Sequence, residues 1–219
     1  MPALKLVIGN KNYSSWSLRP WLLLAHAGIA FDEVQLKFGA DGKVAGVETW
    51  SPSAKVPVLW IDDQPVWDSL AICETVAELF PEKHLWPVDA TARRVARSIS
   101  AEMHSGFTEL RKAMPMNIRS SYPGKGHTPG ALRDIERVVS IWESCRQRFG
   151  GGGAFLFGAF TCADAMFAPV TLRFPTYGVA LPPAAQRYAE AVRTLPATQT
   201  WCAGARAETE FVAADEPYA

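Results

Sequence analysis

Hydrophobic residues recur with two different periods along the chain, and the shorter period is confined to the first third. Leu4–Ile8 is apolar at four of its five positions, which predicts a short buried strand. Apolar residues at helical spacing follow over residues 17–28. Val34, Leu36 and Phe38 then alternate with polar residues, which predicts a second strand. Because a helix crosses over between these strands, we expect them to be parallel.

A second pair of strands precedes the next helix. The apolar run at residues 56–61 has a proline at its entrance, and a turn at residues 62–65 joins it to a very short strand at residues 66–67. Asp68 and Ser69 then open a helix. Its apolar residues at helical spacing are Leu70, Ile72, Val76, Leu79 and Phe80. The pattern predicts the order β-α-β, then β-β-α, with the last two strands antiparallel.

Strand signals then stop, and helical periods dominate the rest of the chain. They extend over residues 91–149 and resume after residue 160. A chain of 219 residues is long enough for two modest domains that pack together. We therefore predict an α/β domain, a linker and an all-helical domain, at residues 1–82, 83–89 and 90–219.

Two helix starts carry capping signals. Pro20 lacks the backbone N–H that a helix interior uses, so we expect the first helix to begin near Ser17, with that serine as N-cap. Gly28 is expected to end this helix. Thr161 and Asp164 have the spacing of a capping box ahead of an apolar segment, which predicts the start of a buried helix.

Charge and composition narrow the classes of partner. The 22 basic and 22 acidic residues cancel and form no basic block, so nucleic acid is not expected as a partner. No apolar stretch has the length of a signal peptide core or a membrane span. The four cysteines lie far apart without a C-x-x-C pair, which fits neither a disulfide scaffold nor a zinc site. We therefore expect a cytoplasmic protein that binds no membrane and no metal.

Three serines stand where the first loop meets the first helix. Ser14, Ser15 and Ser17 lie beside the free amides and the positive dipole end of that helix, a position that favours anions. Either these serines only cap the helix and line the loop, or one hydroxyl donates a hydrogen bond to an anionic ligand. The position alone leaves both interpretations open.

Two further motifs have a structural and a binding interpretation. Pro57 is either an ordinary proline at a strand start or a cis proline that turns the backbone of the residue before it, Val56, toward a peptide-like ligand. Asp68 and Ser69 are either a helix start or a carboxylate and hydroxyl suited to an amino-acid head group. Each motif is ambiguous by itself.

Together, in this order and at these separations, the motifs resemble the soluble glutathione transferases. That family combines a thioredoxin-like N-terminal domain with an all-helical C-terminal domain, and the resemblance covers nearly the whole chain. The serine loop is most similar to the S-S-C-S-x-R signature of the zeta class, with Trp16 in place of its cysteine. Asp68 and Ser69 are similar to an acid–serine pair that is usually Glu-Ser or Gln-Ser in the family. The capping box at Thr161 also belongs to the family pattern.

The resemblance implies glutathione as co-substrate and a serine as the group that activates its thiol. Ser14 looks like the hydroxyl that hydrogen-bonds the glutathione sulfur, and Ser15 is the alternate. No serine needs to lose its proton, because the hydroxyl acts as a donor to a nucleophile that glutathione itself brings.

The resemblance also implies how the rest of glutathione is bound. Val56 is similar to the residue whose backbone pairs with the cysteinyl part, and Pro57 is similar to the cis proline that exposes it. Asp68 and Ser69 look like the pair that holds the γ-glutamyl end. Lys55 is placed to meet the glycyl carboxylate.

The second substrate, a small electrophile, is expected to lie between the domains. Trp16 and the segment that contains Met114 offer apolar walls. His104 and Arg111 lie seven residues apart, so they share a helix face that points either into the cleft or into core or surface. These four residues are the candidate substrate-binding groups.

Arg173 and Tyr177 form another candidate pair in the helical region. They lie four residues apart, and either reach the cleft from their helix or form an exposed or structural pair. In the zeta class, an arginine of this region helps to bind a substrate carboxylate.

The leading hypothesis is a glutathione transferase that conjugates electrophiles, with isomerisation or peroxide reduction as related activities. The alternative is a non-catalytic binding or regulatory protein on the same fold. A thiol–disulfide exchanger would need a cysteine in the first loop, and residues 9–17 contain none. The resemblance also implies a homodimer.

Overall fold

The computed structural model of the protein describes residues 2–39 and 41–219. Its N-terminal part contains four strands: β1 at Leu4–Ile8, β2 at Asp32–Gln35, β3 at Val58–Ile61 and β4 at Gln64–Trp67. They form one sheet with the order β2-β1-β3-β4. β1 is parallel to β2 and antiparallel to β3, and β3 is antiparallel to β4. This arrangement is the predicted β-α-β unit followed by an antiparallel pair.

Helices make up most of the remaining chain. The α-helices are α1 at Ser15–His26, α2 at Ser69–Leu79, α3 at Ala90–Ser105, α4 at Thr108–Ala113, α5 at Pro129–Phe149, α6 at Cys162–Tyr177, α7 at Pro183–Arg193 and α8 at Pro196–Ala207. Beyond β4, the described residues contain isolated bridges but no further strand. The predicted fold class, a thioredoxin-like part followed by an all-helical part, is confirmed. Within the described ranges, no helix combines the length and the apolar character needed to cross a membrane.

The prediction that Ser17 caps the first helix is wrong. α1 begins at Ser15, and its N-cap is Ser14, whose side chain accepts the amide of Ser17. The helix begins two residues before the predicted position because the Ser14 amide donates a hydrogen bond to the carbonyl of Asn10, with an N···O distance of 2.8 Å. Pro20 therefore lies inside the helix, beyond its first turn. The turn at Asn10 and the Ser14 cap, and not the proline, set the start of α1.

The second strand lies nearer the N-terminus than its hydrophobic alternation predicts. The alternation covers residues 34–38, but β2 ends at Gln35. Among the described strands, β2 lies at the edge and pairs with β1 alone, and β1 ends at Ile8, directly opposite Gln35. Phe38 consequently has no strand beside it and forms an isolated bridge with Val44.

α1 and α2 pack against both the sheet and the helical part. α1 packs against α2, α6 and α8, and α6 also packs against α3. The capping box of Thr161 and Asp164 at the start of α6 is present, and nearly every residue of that helix is buried, as predicted. The N-terminus of α1 is consequently held between the sheet and the helical part, which is where the candidate site lies.

Candidate active site

The first loop and α1 bring two serine hydroxyls into direct contact. The Ser14 hydroxyl donates to Ser17 Oγ at 2.7 Å, and the Ser17 amide approaches Ser14 Oγ at 3.4 Å. The backbone amide of Gly9, just after β1, donates to Ser17 Oγ at 3.1 Å. Ser15 is also buried, and its hydroxyl makes no hydrogen bond to the described residues. Ser14 and Ser15 both offer oxygens beside the free amides of a helix start.

Two adjoining cavities meet at this helix start. The larger has a volume of about 780 Å³. Its lining includes Ser14, Ser15, Trp16, Arg111, Arg173 and Asp215. The smaller has a volume of about 450 Å³. Its lining includes Lys55, Val56, Pro57, Asp68, Ser69 and His104. Trp16, Lys55 and Val56 line both cavities, so the two adjoin each other and are together called the groove.

The smaller cavity contains the motifs that precede β3 and α2. The Val56–Pro57 peptide bond is cis. Asp68 caps α2: its Oδ1 accepts the amides of Leu70 and Ala71 at 2.9 and 3.3 Å. Its Oδ2 lies 3.0 Å from His104 Nε2, which comes from α3. The carboxylate of Asp68 is thereby fixed at the cavity wall by both the sheet-containing part and the helical part.

Trp16 separates the two cavities and is held by charged neighbours. The guanidinium of Arg19 lies 4.2 Å from the centre of the indole ring, and that of Arg111 lies 4.8 Å from it. The ring of His104 meets the indole edge-on, with 5.3 Å between centroids. Contacts of guanidinium groups with an aromatic face are attractive. They hold a large, partly exposed side chain in one orientation at the centre of the groove.

The inner end of the larger cavity carries positive charge. Arg173 is almost fully buried, and within the described ranges its Nε and Nη1 have no hydrogen-bond partner. Burial, and then the neighbouring Arg111, lower the pKa of Arg173 to about 10, so it is still cationic at neutral pH. Asp215 lines the same cavity, and burial raises the pKa of its carboxyl to about 6. Unpaired buried donors cost free energy, so an anion placed there would be strongly attracted.

Not every predicted residue reaches the groove. Met114 is fully buried and lines neither cavity, whereas the adjacent Pro115 and Met116 line the larger one. Met114 ends α4 as its C-cap, and packing into the core takes its side chain away from the site. Tyr177 is also buried, and its hydroxyl donates to the carbonyl of Pro115 at 2.9 Å. Arg173, its proposed partner, does reach the groove.

Sequence reasoning missed the C-terminal segment at residues 208–218. Glu208 accepts the amides of Lys11 and Asn12 in the first loop, at 2.7 and 3.0 Å. The same segment brings Asp215 into the larger cavity. About 200 residues separate these partners, and no local pattern marks the pairing. Only the folded chain reveals it.

No group of three or more metal-binding side chains occurs in the part of the chain that the structure describes. The polar groups of the groove include hydroxyls, backbone groups, lysines, the carboxylates of Glu48, Asp68 and Asp215, and the guanidinium groups of Arg111 and Arg173.

Comparison with known proteins gives these residues a context. Residues 13–79 match the family described as "Glutathione S-transferase, N-terminal domain". The chain is 29% identical over 187 residues to maleylacetoacetate isomerase of Rattus norvegicus, a match that covers 84% of each chain. It is 33% identical over 96 residues to a probable maleylacetoacetate isomerase of Caenorhabditis elegans, a match that spans 44% of the length of each protein.

Solved structures share the fold at lower identity. A glutathione transferase homolog from Burkholderia gl BGR1, with bound glutathione, superposes with a TM-score of 0.72 at 22% identity. The match covers 94% of this chain and 100% of that one. A sphingomonad glutathione S-transferase complexed with glutathione gives a TM-score of 0.64 at 21% identity, with 93% and 100% coverage. These likenesses establish the fold.

Proposed function

We propose that this chain is a member of the soluble glutathione transferase family, and that it binds glutathione in the groove at the start of α1 and activates its thiol. One observation carries the proposal. Ser14, Val56–Pro57 and the Asp68–Ser69 pair, far apart in sequence, line the two adjoining cavities of one groove. A tripeptide with an anionic sulfur at its centre and an ammonium and carboxylate at one end fits this set of groups.

Glutathione is proposed to extend from the smaller cavity toward the larger one. Asp68 and Ser69 hold the γ-glutamyl head group, and the backbone of Val56 pairs with the cysteinyl part. Lys55 meets the glycyl carboxylate. The thiol then lies at the start of α1, with Ser14 as its hydrogen-bond donor. Ser15, whose hydroxyl is free of bonds to the described residues, is the alternate donor.

The proposed machinery is strong enough for the task. A free thiol titrates near ~8.5, and lowering its pKa by about two units needs ~2.7 kcal/mol of preference for the thiolate. A helix N-terminus supplies ~0.3–1 kcal/mol, and a hydrogen bond to the charged sulfur ~1.5–3 kcal/mol. Their sum reaches the requirement without a metal and without a deprotonated serine.

The larger cavity is proposed to hold a small electrophile that carries a carboxylate. Arg173 offers buried donors without partners in the described structure, and Arg111 adds positive charge beside it. The relatives named as maleylacetoacetate isomerases support this substrate class. With a cis-configured unsaturated acid, the thiolate adds to the double bond, the resulting single bond rotates, and expulsion of the thiolate leaves the trans isomer. Conjugation stops at the addition or displacement step.

The family also implies how the chain assembles and where it acts. We propose a homodimer, because the family resemblance extends over both parts of the chain. A thiol co-substrate and four free, buried cysteines suit a reducing compartment such as the cytoplasm.

Substitution of the serines tests the proposal. Ser14→Ala is expected to lower kcat for a glutathione-dependent reaction by about 10- to 100-fold, the equivalent of one hydrogen bond to a charged group. It should also raise the pKa of the bound glutathione thiol, followed by thiolate absorbance against pH. Ser98→Ala, an exposed serine on α3, is the matched control and should leave both unchanged.

Two results would contradict parts of this assignment. If Ser14→Ala keeps the wild-type thiol pKa and Ser15→Ala raises it, the donor is Ser15. If the folded wild-type protein is not retained on a glutathione-affinity resin, the non-catalytic alternative replaces the enzyme.

A further inference from the structure

The Ser14 hydroxyl is the cavity-facing end of a hydrogen-bonded chain of three groups. Gly9 N–H donates to Ser17 Oγ, and the oxygens of Ser17 and Ser14 lie 2.7 Å apart. Ser17 is completely buried, whereas Ser14 lines the larger cavity. This hydrogen-bonded chain therefore runs from the end of β1, through the buried Ser17, to the groove.

Proton counting limits what these two serines can do. Each hydroxyl has one proton, so only one of them donates along the Ser14–Ser17 contact. Without a ligand, the Ser14 proton points to Ser17. To donate to a bound sulfur, Ser14 must turn that proton away, and the buried contact then needs the proton of Ser17. Ser17 can supply it, because its oxygen is already bonded by the amide of Gly9.

We propose that Ser17 is a positioning residue that orients and strengthens Ser14, an inference that rests on the proposed activation of glutathione. When the thiolate binds, both hydroxyl groups rotate, and no proton is transferred between the two oxygens. The chain then reads Gly9 N–H to Ser17, Ser17 O–H to Ser14, and Ser14 O–H to sulfur. Aligned hydrogen bonds polarise one another, so the last donor, facing the sulfur, becomes stronger.

The position of the first donor is built into the fold. A Cβ atom at Gly9 would lie 2.7 Å from the ring of Phe38 and 3.2 Å from Val56 Cγ2. The backbone at Gly9 thus packs closely against Val56, the residue proposed to pair with glutathione. The Gly9 amide that orders Ser17 therefore lies beside the side chain of Val56, whose backbone is proposed to hold the ligand.

Ser15 provides an internal contrast. It lines the same cavity, but its hydroxyl has no partner among the described residues to set its direction. An unconstrained hydroxyl spreads over three staggered positions. The hydrogen-bonded chain therefore favours Ser14 over Ser15 as the donor to sulfur.

Substitutions at Ser17 test the proposal. In Ser17→Ala the Ser14 hydroxyl loses both its orienting donor and the polarisation, so kcat should fall about three- to tenfold. The pKa of bound glutathione should rise measurably by thiolate absorbance, while KM for glutathione changes less than about twofold, because the groups that hold the tripeptide remain. Ser17→Thr, which keeps the hydroxyl, should recover most of the loss. Ser17→Cys, a weak donor of similar size, should lie between Thr and Ala and replaces Ser17→Ala if that variant does not fold.

The double variant Ser14→Ala/Ser17→Ala decides between positioning and mere packing. If Ser17 acts through Ser14, the double variant should be no slower than Ser14→Ala. Additive losses, or an unchanged thiol pKa in folded Ser17→Ala, would overturn the proposal and leave the activation of glutathione standing. A wild-type protein that does not lower the thiol pKa of glutathione would overturn both proposals.

Discussion

At the scale of the residue, the groove places opposite charges at its inner end. Arg173 brings buried donors with no partner in the described chain, and Asp215 shares the same cavity. Burial is the main cause that raises the pKa of Asp215 to about 6. The carboxyl is therefore mostly neutral below pH 6 and mostly ionised above it. When Asp215 is ionised, its negative charge weakens the attraction of Arg173 for an anionic substrate, and when Asp215 is neutral it does not.

This titration predicts a pH-dependent preference between substrates. The ratio of kcat/KM for an electrophile with a carboxylate to that for a neutral analogue should fall by about two- to tenfold as pH rises through 6, because ionised Asp215 weakens the attraction of Arg173. Ionisation of glutathione affects both substrates and cancels in the ratio. In Asp215→Asn the ratio should stay nearly flat. A wild-type-like fall in that variant would assign the effect to another group, such as His104.

At the scale of the element, the helix caps determine where the functional side chains lie. Ser14 caps α1, and Asp68 caps α2, so two candidate ligand-binding residues are also capping residues. α6 is capped differently: Asp164 is fully buried and accepts the amides of Leu156 and Thr161 at 3.1 and 2.8 Å. Its cap fixes the helix that carries Arg173.

Removal of this buried cap should cost far more than removal of an exposed one. Asp164→Ala leaves two buried amides without acceptors, at about 1–3 kcal/mol each, so the free energy of unfolding should fall by about 2–6 kcal/mol. Asp89→Ala, which removes the exposed cap of α3, should cost about 0.5–2 kcal/mol. Urea unfolding measures both. Equal losses in the two variants would mean that burial of the Asp164 cap adds nothing.

At the scale of the whole molecule, the C-terminal segment ties the first loop to the helical part. Glu208 bonds the loop amides, and Glu216 accepts from the hydroxyls of Tyr13 and Tyr122, each at 2.7 Å. Tyr218 reaches the carbonyl of Ala113 at 2.7 Å. The loop that leads to Ser14 is therefore ordered from the opposite end of the chain.

Loss of the Glu208 contact should affect both stability and catalysis. Glu208→Ala leaves the amides of Lys11 and Asn12 without their acceptor, so the free energy of unfolding should fall by about 2–4 kcal/mol. Looser positioning of Ser14 should lower kcat more than it changes KM for glutathione. Phe211→Ala, at an exposed position of the same segment, is the control and should be near neutral in unfolding and rate assays. A wild-type kcat in Glu208→Ala would show that the C-terminal segment does not position Ser14 for catalysis.

Local pattern was sufficient for much of the fold. The apolar and polar pattern predicted the order of strands and helices as far as α2, and the Thr161 capping box predicted the start of α6, because both depend on residues a few positions apart. Local pattern failed where a residue outside the segment determines where an element ends. β2 ends at Gln35 because β1 ends opposite it. The start of α1 was also missed, although its cause is local: the Ser14 amide donates to the carbonyl of Asn10 in the same loop.

The sequence by itself determined the fold class and indicated nearly all the candidate groups of the groove, since Ser14, Val56–Pro57 and Asp68–Ser69 lie in local motifs of turns and caps. Only the tertiary structure decided which side chains complete it. Met114 packs into the core, whereas Arg173 and Asp215 enter the cavity. Tertiary structure also linked Ser17 to Gly9 and turned a serine expected to cap a helix into a buried partner of Ser14. The physical reason is that burial and hydrogen-bond partners depend on the packing of distant segments, which no local period records.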